Sequence, residues 1–91
     1  MTIANVLIRI ELPQVHSLKG RRSVLNRIKD ALKKMNVSVI DVSSEYAKEG
    51  ELAVVYAAAN EKLCAQVLQS IEALLEQRFP ELECEVDFEM L

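Results

Sequence analysis

Arg22, Asn26, Lys29 and Lys33 follow one another at intervals of four, three and four residues, and Lys19 extends the same line. On a helix of 3.6 residues per turn this spacing makes one polar ridge. Lysine and arginine contact phosphate oxygens and position a protein on nucleic acid without reading bases. Lys19, Arg22, Lys29 and Lys33 are therefore the expected RNA- or anion-binding residues. The plain alternative is a solvated helix face. Charge distribution favours an anionic partner at this end of the chain. Residues 1–35 hold eight cations against Glu11 and Asp30, whereas residues 36–91 hold Lys48, Lys62 and Arg78 against twelve acids. The net charge of −3 thus hides a polarised chain, and polarity of this kind steers association.

Other reactive groups do not assemble. His16 and Ser17 are sequence neighbours, which rarely aim side chains at each other, and no third group orients the imidazole. Ser17 is better placed to cap a helix. Two cysteines and one histidine cannot supply the four nitrogen or sulfur ligands of a structural zinc site. The alternating row Glu83, Glu85, Asp87 and Glu89 is the pattern of an edge strand that uses charge to discourage aggregation. No catalytic site, cofactor or metal is expected, and the chain does not read as an enzyme.

The elements that must carry these residues are legible from periodicity. Ala4, Val6, Ile8, Ile10 and Leu12 alternate with more polar neighbours as in a strand, which Pro13 ends. A helix capped by Ser17 follows, with Leu18, Leu25, Ile28, Leu32 and Met35 as its apolar stripe and Val24 and Ala31 beside it. Val37–Val42 reads as a second strand whose apolar residues fall on both parities, which a bulge would explain. A polar connection over 43–50 leads to a central strand at Leu52–Ala59. Asn60 caps a second helix with Cys64, Val67, Leu68, Ile71, Leu74 and Leu75 inward, and Pro80 stops it. Leu82, Cys84, Val86, Phe88 and Met90 form the apolar parity of a last strand.

The order is βαββαβ in a single 91-residue domain. Right-handed crossovers place both helices on one face of an antiparallel sheet of strand order 4-1-3-2. The expected class is α+β, a ferredoxin-like two-layer sandwich. Cys64 and Cys84 then lie at opposite ends of the second helix, too far apart to bridge. The uncovered sheet face would show Asn5, Leu7, Arg9 and Glu11, with Tyr56 the one aromatic of the third strand. That excludes base stacking on aromatics of the central strands. The loop Pro13-Gln14-Val15-His16 has neither the paired cysteines of a metal chaperone nor the glycines of a phosphate-cradling loop. Leu7 and aliphatic residues of the third strand leave an apolar strip on the open face, which suits a homodimer or another protein partner. No apolar run nears the ~20 residues of a membrane span, and the N-terminus lacks the pattern of a secretory signal, so the expected compartment is the cytoplasm, with no membrane partner.

The segment 13–25, above all Ser17-Leu18-Lys19 with Arg22, and the run Asn36-Val37-Ser38-Val39-Ile40-Asp41-Val42 resemble the YlxP-like family of small bacterial proteins, domain of unknown function 503. The resemblance implies a ferredoxin-like fold and no established reaction, cofactor or catalytic residue. Family members are often encoded beside translation-initiation and ribosome-maturation genes, which implies RNA or ribosomal particles as partners by association. Gly20 departs from the acidic residue usual in the family, and Tyr46–Gly50 lacks its usual aromatic-plus-arginine character.

Overall fold

The computed structural model describes all residues from Met1 to Leu91. Its elements are β1 (Thr2–Glu11), α1 (Leu18–Lys33), β2 (Ser38–Asp41), β3 (Glu49–Ala58), α2 (Glu61–Arg78) and β4 (Glu83–Met90). One antiparallel sheet has the order β2-β3-β1-β4, the expected sequence of strands read from the other edge. Both helices cover the same face, α1 over β2 and β3, α2 over β1, β3 and β4.

Strand parity decides what is buried. Ala4, Val6, Ile8 and Ile10 of β1 and Leu52, Val54 and Tyr56 of β3 point under the helices. They meet Leu25, Ile28 and Leu32 of α1 and Cys64, Leu68, Ile71 and Leu75 of α2 in one continuous core. The register is unbroken, with Val6 opposite Val54 and Ile8 opposite both Leu52 and Val86. β2 runs without the expected bulge, Ser38 to Asp41 pairing evenly with Val55 to Leu52. Its two apolar parities have a simpler cause. Val39 packs under α1, while Ile40 and Val42 stand on the opposite, open face.

Local signals behave as their chemistry requires. Ser17 Oγ accepts the Gly20 N–H at 3.0 Å and Asn60 Oδ1 accepts the Leu63 N–H at 2.9 Å, so each helix begins on a side-chain cap. Asn36 takes a left-handed φ of 61°, a conformation asparagine tolerates, and turns the chain from α1 into β2.

Two expectations are corrected. Leu18 is 48% exposed and lies outside the stripe, whose first member is instead Arg21. Tyr56 faces inward, its hydroxyl donating to the Cys64 carbonyl at 2.8 Å. Burial and the adjoining Cys64 thiol push its pKa up to about 12. Cys64 is buried and Cys84 half-buried, both free thiols, and burial followed by the charge of Glu81 raises the Cys84 pKa.

Gly50 sets how closely α1 lies on β3. A Cβ built there would stand 2.8 Å from Leu25 Cδ2, inside any normal carbon contact. Leu25→Ala should cost about 2–5 kcal/mol through the cavity it leaves, and Gly50→Ala about 1–3 kcal/mol through overpacking. In a double-mutant cycle by urea denaturation the pair should cost clearly less than the sum, because the new methyl enters the space Leu25 vacates. Strict additivity would contradict this packing.

Candidate functional site

Three surfaces compete as functional sites: the outer flank of α1, the loop end of the domain, and the sheet face without helices. On α1, positions 22, 29 and 33 fall within roughly 40° of one another around the axis, on the flank that faces the β2 edge. Lys29 is half-buried there, while Arg22, Asn26 and Lys33 are exposed. Lys19 stands roughly 60° from Arg22 and 40° from Lys33, so it borders the row on the side of Asn26. None of them is ion-paired; every salt bridge of the molecule belongs to Arg9.

Asp41 lies close to this flank. Desolvation pushes its carboxyl pKa up, but hydrogen bonds from Ser43, one of them from the Ser43 N–H at 2.9 Å, together with the fields of Arg21 and Lys29, bring the net pKa below the ordinary carboxylate value. A depressed folded-state pKa stabilises the fold above the ordinary value, and the contribution is lost as pH falls through the lowered one.

Arg21, one of the eight cations of residues 1–35, is buried. Its Nη1 donates to the carbonyls of Ser44 at 2.6 Å, Tyr46 at 2.9 Å and Glu49 at 3.3 Å. One guanidinium thereby holds the whole β2–β3 connection. From that connection Lys48 Nζ reaches back to the Pro13 carbonyl at 2.9 Å, the Val15 carbonyl at 3.3 Å and His16 Nδ1 at 3.4 Å. His16 and Ser17 are thus parts of a loop clasp and a helix cap. The sequence held a signal for Arg21. It stands four positions before Leu25 and seven before Ile28, within the apolar stripe, where only its charge argued for the surface.

The open sheet face divides in two. Toward β2 it is aliphatic: Ile40 (61% exposed), Val42 (41%) and Val55 (44%), with half-buried Leu7 and Ala53 between the strands. Toward β4 it carries Glu83, Glu85, Asp87 and Glu89, all exposed. Arg9 separates the halves, lying 3.7 Å from Glu85, 3.8 Å from Asp87 and 4.0 Å from Glu51. No stacking aromatic interrupts this face, since Tyr56 is turned away.

Arg21→Met should leave three partly buried carbonyls without a charged donor, at a cost of about 1.5–3 kcal/mol. Amide exchange over 43–49 should accelerate more than exchange in the β1–β3 core. Unchanged exchange in that segment would show that the guanidinium does not hold it.

Among solved structures, the chain is similar to a de novo designed protein with a ferredoxin fold, LFR1 1, at 14% identity, covering 98% of this chain and 86% of that one with a TM-score of 0.64. It is also similar to the designed protein Foldit4, at 17% identity over 97% and 94% of the two chains and a TM-score of 0.56. A dimeric ferredoxin-like protein from an uncultured marine organism superposes over 100% of this chain and 93% of its own, at 8% identity and a TM-score of 0.52. At such identities the likeness establishes the ferredoxin-like fold alone. No curated protein matches the chain, and no helix is long and apolar enough to cross a membrane. A family model, in contrast, matches residues 3–88, a span that reaches from β1 into β4, and by that match the chain belongs to the family described as "Protein of unknown function (DUF503)".

Proposed function

We propose that the protein is a non-catalytic interaction module whose open sheet face pairs with a second copy of the chain. The observation that carries this reading is the continuous aliphatic patch of Leu7, Ile40, Val42, Ala53 and Val55 on the face the helices leave bare. The part of the face formed by β2, β3 and β1, strands about 4.8 Å apart of which β2 is only four residues long, offers roughly 300 Å² per copy. Two copies would bury about 600 Å², the size of a weak, concentration-dependent contact. Charge supports one arrangement over another. A two-fold axis across the strands would stack the two acidic β4 rows on each other. An axis along the strands, above β3, sets the aliphatic halves together and leaves both acidic rows at opposite margins. A protein of this fold that is itself described as dimeric makes such association a known use of the architecture.

The parent should sediment as a concentration-dependent dimer. Ile40→Glu or Val55→Glu should return it to monomer with unchanged circular dichroism. A strict monomer at about millimolar concentration would end this reading.

A second reading rests on Arg22, Lys29 and Lys33, which share a flank with no ion-paired acid. On this reading the helix contacts RNA or a ribosomal particle through phosphates, and affinity falls steeply with salt. Arg22→Glu combined with Lys29→Glu should abolish salt-sensitive retention of structured RNA. Equal retention by parent and variant would leave the flank a solubilising surface.

A further inference from the structure

A second concentration of positive charge lies between the helices, away from both surfaces above. Arg27, Asp30, Ala31 and Lys34 of the α1 side and Arg78 and Phe79 at the end of α2 line a cleft of about 300 Å³. Arg27 and Arg78 line it from different helices, together with Lys34 at the C-terminus of α1. None of the three cations is ion-paired or engaged in a side-chain hydrogen bond, although Asp30 shares the cleft. The Arg27 guanidinium lies 5.7 Å from the centre of the buried Phe79 ring, close enough for a cation–π contact to orient it.

The charge of this cleft runs against the molecule. Four other clefts of comparable size are lined by more acid than base, among them the pair beside Arg9 that hold Glu11 with Glu49 and Glu51, or with Glu83 and Glu85. A chain of net charge −3 has therefore kept three free cations against one carboxylate at a single concavity. Lys34 and Arg78 each also stand at a helix C-terminus, where a cation is favoured by the helix dipole. That role explains neither Arg27, which is mid-helix, nor the meeting of all three. The α1 flank, by comparison, is convex.

We infer that the interhelical cleft binds a phosphoryl group through Arg27, Lys34 and Arg78, with the apolar floor of Ala31 and Phe79 beneath it. Guanidinium and phosphate match in charge and in paired hydrogen-bond geometry. Asp30 acts against the anion and keeps binding moderate. The phosphoryl group can belong to a free phosphorylated small molecule or to a nucleic-acid backbone, because the contacts are the same.

The test is a titration of the ¹⁵N-labelled chain with pyrophosphate, followed by amide chemical shifts. Saturable shifts should concentrate at Arg27, Ala31, Lys34 and Phe79. Arg78→Gln and Lys34→Gln, both surface changes that keep the fold, should each weaken binding about tenfold, the loss of one charge-assisted contact. Asp30→Asn should strengthen it several-fold, and Lys62→Gln, at the other end of α2, should leave it unchanged. A single-stranded RNA oligonucleotide forms the second arm. If it shifts the same amides and pyrophosphate displaces it, the natural source is a polynucleotide backbone; if only pyrophosphate binds, the source is a small molecule, and either result supports the site. Shifts spread equally over Arg22 and Lys29, unsaturated binding, or an Asp30→Asn variant that binds no better would overturn it.

Discussion

The structure depends on a single constraint, that both helices lie on one side of the sheet. Right-handed βαβ crossovers impose it, and strand parity then sorts every residue of β1 and β3 into core or open face. Ile8 and Leu52 vanish beneath the helices, while Leu7 and Ala53, one position away, stay on the far side. A one-residue slip would exchange the two sets and expose the core. The paired register of β1 with both β3 and β4 prevents this, and Gly50 admits Leu25 closely enough to seal the top of the packed face.

The bare face and the helical face follow from that constraint as unlike surfaces. The bare face is flat, aliphatic near β2 and acidic along β4, which suits contact with another sheet and repels polyanions. The helical face carries the free cations, on the flank of α1 and in the cleft between the helices. The polarised sequence thus becomes a two-sided molecule in which the charge-bearing elements occupy different layers. The two kinds of contact do not compete for area, so a pair of copies joined through their sheets would still present both helical layers to solvent.

Arg21 illustrates how a charged residue serves architecture. Its burial is tolerated because three backbone carbonyls accept from its guanidinium, which satisfies the charge without a carboxylate partner. Lys48 makes the reciprocal link from the β2–β3 connection to the β1–α1 loop. The two clasps fix the loop end, where Ser17 caps α1 and the His16 imidazole lies 3.4 Å from Lys48 Nζ.

Much of this was readable from the residues alone. Alternation in β1 and β4, the 3–4 spacing in both helices, the caps at Ser17 and Asn60 and the βαββαβ order are local patterns. Local sterics and hydrogen bonding set their period, and crossover handedness then leaves one topology. The row Arg22, Lys29 and Lys33 is local in the same sense, since helical geometry brings it together. The structure alone decided the rest. Arg21 turned inward because carbonyls 23 to 28 positions away came to meet it, Tyr56 because α2 covers the side of β3 it shares with Ala4 of β1 and offers the Cys64 carbonyl to its hydroxyl, and β2 needed no bulge because its second apolar parity faces the open side. The cleft of Arg27, Lys34 and Arg78 joins residues up to 51 positions apart, and no period of one element encodes a meeting of two. Spacing along a chain fixes which residues share a face, whereas packing between elements fixes what that face touches.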